Sequence, residues 1–257
     1  MNAPSHRRVD ILGVHLSAVD RSTAVDEVVR FVDERARTYV CVTGVHGVME
    51  SQRDPILAEI HNRSGLTTPD GMPMVWAARR AGAPVISRVY GPDLMLDVCE
   101  RSQREGWRHY FYGAKPGVAD ELAARLVSRF PDLVVAGTMS PPYRPLSEEE
   151  NDRVVATIEA AQPDIVWVGL STPKQERWMA SNRSHLSAAV LIGVGAAFDI
   201  HAGRLAQAPR WMQRAGLEWL FRLAIEPRRL WRRYLFNNPR FVANVVRRPP
   251  RLVSNSP

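Results

Sequence analysis

The sequence has few of the residues that build cross-links or metal sites. Among its 257 residues it has only two cysteines, Cys41 and Cys99, and both have apolar neighbours. This number excludes a disulfide framework and a four-ligand zinc site, and it favours a reducing, cytoplasmic environment. The sequence also lacks D-x-D, D-x-[DN]-x-[DN]-G and H-E-x-x-H patterns, and its seven histidines are scattered. We therefore expect no tightly held metal.

Long hydrophobic runs are missing as well. The longest run, residues 188–198, is too short to cross a bilayer, and residues 1–8 lack the apolar core of a signal peptide. We therefore expect neither a transmembrane segment nor a secretory leader. No fixed repeat suggests a solenoid or a propeller. The composition, with 45% hydrophobic and 24% charged residues, is that of an ordinary globular chain.

The positive charge is concentrated at the C-terminal end. Residues 1–203 carry a net charge of −3, whereas residues 204–257 carry 12 arginines, two glutamates and a net charge of +10. We therefore predict a core over residues 1–203 and a basic appendage over residues 204–257. Such an asymmetry indicates an anionic partner for the appendage. A nucleic acid is disfavoured because no helix-turn-helix, zinc-finger or RNP pattern is present.

The appendage has helical periodicity on both sides of Pro227. Trp211, Ala215 and Trp219 are spaced i, i+4, i+8, and Arg222, Arg229 and Arg233 are spaced i, i+7, i+11, so each set is expected to share one helix face. Aromatic rings and arginines on a short helix pair suit an anionic membrane surface. A helix pair docked on the core, with its arginines in solvent, explains the pattern equally well, and both interpretations stay open.

Short apolar runs alternate with amphipathic stretches through the rest of the chain. We predict strands at residues 39–42, 66–68, 110–112, 133–135, 165–168 and 190–192, and helices at residues 22–37, 54–62, 92–105, 117–130, 147–161 and 173–185. This order predicts an α/β fold, with a mostly parallel sheet and helices on both faces. In such folds ligands bind beyond the carboxyl ends of the strands. The loops at residues 43–46, 69–71, 113–117, 169–176 and 193–199 are therefore the candidate site.

Two of these loops also have a purely structural interpretation. Residues 68–71 read Thr-Pro-Asp-Gly, which is a common turn, although a carboxylate at a strand end can also act as a general base. Residues 172–175 fit a capping box with Thr172 as N-cap and Gln175 reaching back, and the same helix start with Lys174 is a ready anion site. Residues 193–195, Gly-Val-Gly, form an incomplete dinucleotide fingerprint, so nicotinamide binding is disfavoured.

Several motifs in a fixed order resemble those of one enzyme family. In chain order they are Thr43; Pro69, Asp70 and Gly71; Arg88, Gly91, Asp93 and Leu94; Pro173, Lys174, Gln175, Glu176 and Trp178; Gly193, Val194, Gly195, Phe198 and Asp199; and Arg210, Trp211, Gly216, Leu217, Glu218, Trp219, Leu220, Arg222 and Leu223. Together they strongly resemble the WecB/TagA/CpsF glycosyltransferases, glycosyltransferase family 26, from about residue 9 to residue 236.

The resemblance implies a Rossmann-like core with a basic, helical, membrane-associating appendage. It further implies an inverting, metal-independent enzyme that needs no cofactor. Such an enzyme moves a sugar, whether an N-acetylhexosamine, a hexose or a uronate, from a UDP-sugar to a polyprenyl-diphosphate-linked saccharide. The transfer would take place at the cytoplasmic face of the membrane, in the synthesis of cell-surface polysaccharide or wall polymer.

The resemblance also implies roles for individual residues. Asp70 matches the general base, Arg88 an arginine that holds phosphate or carboxylate, and Gln175 a polar residue near the donor sugar and diphosphate; these are the catalytic candidates. Substrate-binding candidates are Thr43, His46, Gly71, Gly113, Gly169, Lys174, Gly195, Asp199, Arg222, Arg229 and Arg232. Of these, Arg222, Arg229 and Arg232 match appendage arginines that neutralise a diphosphate, and Gly195 and Asp199 are expected in the nucleotide pocket.

One position departs from the family pattern. Relatives often carry asparagine two residues after the first-loop threonine, whereas this chain has Val45 followed by His46. Either His46 replaces that amide, or the chain uses a different donor or acceptor. A non-catalytic nucleotide-binding or scaffold protein with the same fold is the alternative function. The sequence leaves the identity of both sugars and the oligomeric state open, a homo-oligomer included.

Overall fold

The structure is a computed structural model that describes residues 6–253; most of the polar N-terminal stretch 1–8 and the last four residues of the appendage lie outside this range. The strands are β1 (Arg8–Ile11), β2 (Val14–Ser17), β3 (Thr38–Thr43), β4 (Leu66–Pro69), β5 (Arg108–Gly113), β6 (Val134–Met139), β7 (Ile165–Gly169), β8 (Val190–Gly193) and β9 (Arg251–Leu252). The helices are α1 (Arg21–Asp33), α2 (Val45–Ser51), α3 (Pro55–Arg63), α4 (Met72–Arg80), α5 (Gly91–Glu105), α6 (Val118–Arg129), α7 (Glu148–Ala160), α8 (Lys174–Asn182), α9 (Ala197–His201), α10 (Arg210–Arg214), α11 (Glu218–Ile225) and α12 (Pro227–Arg247), with a 3-10 turn at Arg183–His185.

Six strands form one sheet in the order β4-β3-β8-β7-β5-β6. The pairs β3·β8, β8·β7, β7·β5 and β5·β6 are parallel. Strands β7 and β8 are buried on both faces, except for Gly169 at the end of β7, as strands covered by helices on both sides must be. All six predicted strands and all six predicted helices of the core are present, so the prediction of an α/β fold is confirmed.

The helix signals are borne out at α7. Ser147 Oγ accepts a hydrogen bond from the Glu150 N–H, and the Glu150 carboxylate accepts one from the Ser147 N–H at 2.9 Å. Arg144 holds the same carboxylate with two hydrogen bonds, and its guanidinium together with the Ser147 N–H lowers the pKa of Glu150 to about 2. The acidic run 148–150 is therefore a helix start.

A buried histidine lies in the interior of the sheet and is structural. Trp167 Nε1 donates to His109 Nδ1 at 2.9 Å, so the His109 Nε2 proton points at Ser102 Oγ, 2.8 Å away. The serine hydroxyl in turn donates to the Val98 carbonyl. Burial lowers the pKa of His109 to about 3, which keeps the ring neutral and suited to a core hydrogen-bond chain.

The chain divides into two compact units that do not follow a single cut in the sequence. The first unit contains the described residues up to Ala24, Val42–Tyr90 and the chain from Gln207 onward. The second unit contains Val25–Cys41 and Gly91–Ala206. Residues from Gln207 onward are thus grouped with the N-terminal residues. The boundary between residues 203 and 204 stays a prediction.

The C-terminal segment contributes to the core of the first unit. Phe241 of α12 is buried in a hydrophobic cluster that includes Val9 and Met74, and Leu230 is 2% exposed. Strand β9 pairs with β1 in a three-stranded antiparallel sheet ordered β2-β1-β9. Oδ2 of Asp10 in β1 lies 3.5 Å from Nε of Arg251 and 3.6 Å from Nη2 of Arg248. One face of the appendage is therefore docked.

The helix faces predicted in the appendage are wrong. Gly216 has a φ of +73°, and a Cβ at this position would lie 2.7 Å from the Trp76 ring, so the chain turns between α10 and α11. Trp211 and Trp219 therefore stand on different helices. The break between α11 and α12 likewise separates Arg222 from Arg229 and Arg233, of which the last two share α12. A tertiary contact overrides the periodicity here.

Candidate functional site

Asp70 is held directly after the carboxyl end of β4. Its N–H donates to the Thr43 carbonyl at 2.9 Å, which fixes the turn to the end of β3. Gly71 follows with a φ of +96°, a conformation that glycine adopts without a steric penalty. A Cβ on Gly44 would lie 2.7 Å from the Asp70 carbonyl oxygen and 3.8 Å from its Oδ2. The two loops therefore touch, and glycine at position 44 leaves the carboxylate accessible from that side.

Thr43 ends β3 with a buried, unpartnered hydroxyl. The residue is 2% exposed, and its Oγ1 has no hydrogen-bond partner among the described residues. Its methyl group packs against Gly47, where a Cβ would come within 2.9 Å. Buried hydroxyls without partners are rare in folded proteins. Thr43 therefore has the free hydrogen-bonding capacity expected of a ligand-binding residue.

Arg88 connects the first unit's core segment to its C-terminal segment. Its Nη1 donates to Gln213 Oε1 at 2.7 Å, and its Nη2 makes a short ion pair with Glu218 Oε2. The guanidinium also lies 3.9 Å above the centre of the Tyr90 ring. Only its Nε is buried without a partner among the described residues. The resemblance assigns Arg88 to a phosphate or carboxylate of the substrate. In the structure Arg88 is already bound to a carboxylate of the protein, that of Glu218.

Glu218 lies in the electrostatic field of Asp70. Burial, and next the charge of Asp70, raise the pKa of Glu218, while Arg88 opposes the shift and Tyr90 donates a hydrogen bond to the carboxylate. Burial, Glu218 and Asp70 likewise raise the pKa of Tyr90. These interactions place Asp70, Arg88, Tyr90 and Glu218 in one charged cluster, which we call the Asp70 cluster.

Two arginines of the C-terminal segment complete this cluster. Burial lowers the pKa of Arg233, and Arg222 and Arg229 lower it further, whereas Tyr234 and Asp70 act in the opposite direction. Burial also opposes ionisation of Arg222, but the phenols and carboxylates around it leave its pKa raised. The Nε groups of Arg222 and Arg233 are buried and have no partner among the described residues. Both arginines therefore have a free donor, and Arg233 lies near the candidate base.

Arg229 and Arg232, the other two appendage arginines that the resemblance assigns to substrate binding, are exposed. Arg229 is 62% exposed and pairs with Glu226 at 2.6 Å. Arg232 is exposed and stacks 5.2 Å above the ring of Trp231. The structure thus places Arg222 near Glu218 and Tyr90, and the arginine whose pKa is affected by the charge of Asp70 is Arg233.

His46 is in contact with the appendage. Its Nδ1 lies 3.7 Å from Glu50 Oε1 and 3.4 Å from the amide nitrogen of Asn237. Asn237 on α12 is 5% exposed, and Val45 packs against the hydrophobic cluster. An amide group is therefore present beside this loop, but α12 supplies it.

The raised pKa of Glu218 leads to a prediction about stability. A carboxyl whose pKa is higher in the folded than in the unfolded chain stabilises the fold below its ordinary pKa of 4.5, and this contribution is lost as the pH rises through the folded value. We therefore expect the urea midpoint of Glu218→Gln, relative to wild type, to increase from pH 4.5 to pH 7.5. Glu59→Gln, at an exposed position of α3, is the control. A difference that falls with pH would show that pairing with Arg88 dominates.

In the second unit, two candidate glycines are required by close packing. A Cβ on Gly113 would lie 2.6 Å from the backbone of Gly169, and one on Gly169 would lie 2.7 Å from the Phe198 ring. Larger residues would push β5, β7 and α9 apart. Packing alone therefore explains these two glycines, and their predicted role in binding substrate stays a prediction.

The start of α8 differs from the predicted capping box. The helix begins at Lys174 with Pro173 as N-cap and no side-chain cap. The Thr172 hydroxyl instead donates to Glu176 Oε1 at 2.8 Å, and Gln175 Nε2 donates to the same oxygen at 3.0 Å. The capping box is therefore wrong, because a buried carboxylate competes for both of its side chains. Gln175 Oε1 is left without a partner among the described residues.

The remaining candidates of the second unit are Lys174 at the start of α8, Gly195 after β8 and Asp199 on α9. Lys174 is exposed, and its Nζ lies 4.7 Å above the Tyr143 ring. Gly195 has a φ of +50°, and a Cβ there would lie 3.5 Å from Gln175 Oε1. Asp199 lies on α9, and its charge acts on Arg204, which forms an ion pair with Glu121 at 2.6 Å. Gln175 and Gly195 are thus neighbours, and their predicted roles in binding the donor stay predictions.

The order of these residues along the chain matches one family model. The model of the "Glycosyl transferase WecG/TagA/CpsF family" matches residues 9–254. The chain belongs to this glycosyltransferase family. Membership in the WecG/TagA/CpsF family makes it an enzyme of glycosyl transfer and confirms the resemblance drawn from its motifs.

Two relatives within this family are of similar length. One from Bacillus spizizenii (strain ATCC 23059 / NRRL B-14472 / W23) is 29% identical over 217 residues, and one from Bacillus subtilis (strain 168) is 28% identical over 217 residues. Each match covers 84% of this chain and 82% of the relative. Both relatives are named N-acetylglucosaminyldiphosphoundecaprenol N-acetyl-beta-D-mannosaminyltransferase.

Sequence reasoning missed part of the Asp70 cluster. Its members Tyr90, Glu218 and Arg233 are not among the predicted site residues, and neither are Gln213, which binds Arg88, and Tyr234, which acts on Arg233. The sequence did give one signal for Glu218: residues 204–257 contain 12 arginines and only two acidic residues, of which Glu218 is one. Within residues 6–253, no group of three or more histidine, cysteine or acidic side chains is placed to hold a metal, and no helix is both long and apolar enough to span a membrane.

Proposed function

We propose that this enzyme transfers an N-acetylhexosamine from a UDP-sugar to a saccharide linked to polyprenyl diphosphate. Family membership supports glycosyl transfer, and the names of both relatives specify a hexosamine donor residue and a diphosphoundecaprenol-linked acceptor. Because these relatives are only 28% to 29% identical to this chain, we do not carry their donor epimer over to it. Val45 at the place of the family asparagine is a further reason to test several UDP-hexosamines.

The observation that carries the proposal is the Asp70 cluster. The Asp70 carboxylate at the end of β4 lies near Arg233, and Arg222 belongs to the same cluster through Glu218 and Tyr90. Both guanidinium groups are half-buried and have a buried Nε donor without a partner among the described residues. A carboxylate can accept a proton, and desolvated arginines can stabilise negative charge that develops on a leaving diphosphate. These are the two requirements for glycosyl transfer from a nucleotide sugar.

In the proposed mechanism, Asp70 takes the proton of the acceptor hydroxyl. The acceptor oxygen then forms a bond to the anomeric carbon, and the bond between that carbon and the UDP oxygen breaks with its electron pair on UDP. A single displacement of this kind inverts the anomeric configuration. Arg222 and Arg233 stabilise the charge on UDP. We further propose that these arginines make a divalent metal unnecessary.

Thermal unfolding with nucleotides tests the proposal before any acceptor is available. UDP at about 100 times its dissociation constant stabilises a protein by about 2.7 kcal/mol, which for a chain of this size raises the midpoint by several degrees. We expect this rise with UDP in the presence of EDTA, and smaller rises with ADP, UMP and NAD. Stabilisation by NAD alone, or by UDP only when Mg²⁺ is present, would contradict the proposal or its metal independence.

We also propose that the appendage binds an anionic membrane surface. Four apolar residues of α12, namely Trp231, Leu235, Val242 and Val246, are 44% to 74% exposed. Their spacing of i, i+4, i+11 and i+15 aligns them on one helix face, away from the buried Leu230 and Phe241. Exposed arginines flank them. The helix thus has a docked face and a second, free apolar face, which supports both interpretations of its sequence.

Vesicle binding should depend on this free face. We expect Leu235→Ser with Val242→Ser to weaken co-sedimentation with phosphatidylglycerol vesicles about 30-fold, since each apolar side chain contributes about 1 kcal/mol when it enters the interface. Because both residues are exposed, the unfolding midpoint should change little. Ile56→Ser with Val85→Ser, two exposed apolar positions outside the appendage, should leave binding unchanged. Equal sedimentation of all three proteins would remove α12 from the membrane interface.

A further inference from the structure

Gln175 and Glu176 form a buried pair at the start of α8. Gln175 is 3% exposed and Glu176 is fully buried. The Gln175 amide nitrogen donates to Glu176 Oε1 at 3.0 Å, and the Thr172 hydroxyl donates to the same oxygen. A carboxylate in this arrangement can only accept hydrogen bonds. The chemistry of Glu176 therefore fixes which end of the Gln175 amide faces it.

The fixed orientation leaves the amide oxygen free. Gln175 Oε1 is buried and has no hydrogen-bond partner among residues 6–253. Buried carbonyl oxygens without partners are uncommon in folded proteins and call for an explanation. The nitrogen of the same amide group is hydrogen-bonded to Glu176. The amide therefore cannot rotate to give its oxygen a partner without breaking that hydrogen bond.

The free oxygen lies where ligands of parallel sheets bind. The Gln175 amide runs across the end of β8, where a Cβ on Gly193 would lie 3.1 Å from Nε2 and one on Gly195 would lie 3.5 Å from Oε1. The same Gly195 position is 3.9 Å from Ser171 Cα, in the loop after β7. Strands β7 and β8 are parallel neighbours, so Oε1 lies near the loops at the carboxyl ends of two adjacent strands.

We propose that Glu176 is a positioning residue that makes Gln175 a hydrogen-bond acceptor for the donor substrate. The group recognised at Oε1 must then carry a hydrogen, as a sugar hydroxyl or an acetamide N–H does. A diphosphate oxygen, which only accepts, is excluded from this position. This inference rests on the proposed UDP-sugar substrate and adds to it that Gln175 recognises the sugar and not the diphosphate.

A double-mutant cycle tests the inference, with binding of a UDP-N-acetylhexosamine and of UDP measured by calorimetry. We expect Gln175→Met, which keeps the volume but removes the acceptor, to weaken UDP-sugar binding about tenfold and UDP binding less than twofold. Glu176→Met should have the same selective effect, because it removes the oxygen that holds the Gln175 amide nitrogen and so frees the amide to rotate. In the double variant the loss should be no greater than in Gln175→Met alone. Gln103→Met, on α5 of the same unit, is the control.

Three outcomes would overturn the inference. Equal losses for UDP and UDP-sugar would place Gln175 against the nucleotide or diphosphate. Multiplying losses in the double variant would show that Glu176 does not act through Gln175. Fast solvent exchange of the Gln175 side-chain amide protons in the unliganded wild-type protein, where we expect at least tenfold slower exchange than in an exposed glutamine, would refute the orientation. If wild type bound neither ligand, the proposed function would fail, while the exchange measurement would still decide the orientation.

Discussion

Replacing Asp70 by asparagine is expected to lower the turnover of UDP-sugar and lipid-linked acceptor about 1,000-fold. The amide has the size of the carboxylate but cannot take a proton, and general-base catalysis contributes about 10² to 10⁴ in rate. UDP binding should persist, because the base acts on the acceptor. The unfolding midpoint should stay equal or rise, since Asp70 is one of the two main causes that disfavour ionised Glu218.

The matched control for this variant is Asp54→Asn in the same unit. Asp54 caps α3 by accepting a hydrogen bond from the Leu57 N–H, and asparagine caps helices equally well. Its turnover should remain within about twofold of wild type. Turnover of Asp70→Asn within tenfold of wild type would remove Asp70 from proton transfer, whereas loss of both turnover and the folding transition would point to a structural role.

The second large effect is expected from two neighbouring arginines. Arg233→Gln should reduce kcat/KM about 100-fold, because it removes from the Asp70 cluster a half-buried cation whose Nε is a free donor. Arg232→Gln should reduce it less than about threefold in a detergent-solubilised assay, because the Arg232 side chain is in solvent beside Trp231. Stability should not fall in Arg233→Gln, since burial already disfavours its charge.

Comparison of Arg232→Gln with Arg233→Gln distinguishes the role that the family resemblance implies from the one that the structure indicates. The resemblance assigns a role to Arg232, and the structure places Arg233 in the electrostatic field of Asp70. If Arg232→Gln had the larger effect, α12 would have to turn about its axis when substrate binds. If neither variant had an effect, charge stabilisation by α12 would be refuted, and Arg222 of α11 would be the remaining appendage cation in the cluster.

The sequence was sufficient to predict the sheet because its strands are short, buried and separated by helices. Runs such as residues 165–168 and 190–192 are apolar throughout, and only strands covered on both faces have this pattern. The short strands β1, β2 and β9 were missed. Strand β9 pairs with β1 across the whole chain, Val9 with Leu252 for example, and no local pattern records such pairing; β1 and β2 form a local hairpin of only four residues per strand.

The site was only partly predictable for the same reason. Asp70 directly follows β4, and Gln175 lies at the start of the helix that follows β7, so their positions could be read from the order of strands, loops and helices. The bond between Arg88 and Glu218 joins residues 130 positions apart. The turn at Gly216 depends on the Trp76 ring, and the bonds of Thr172 depend on a carboxylate that is itself buried. Each of these features is set by tertiary contacts.

The central claim is a single displacement at the anomeric carbon of a UDP-sugar, with Asp70 as the base. The most direct test incubates wild type with α-linked UDP-N-acetylhexosamines and a synthetic N-acetylglucosaminyl diphosphate lipid in EDTA, and determines the product's anomeric configuration by proton NMR. The account predicts a β-linked disaccharide from wild type and almost none from Asp70→Asn. An α-linked product would contradict a single displacement, and absence of any product from all UDP-sugars would contradict the proposed donor.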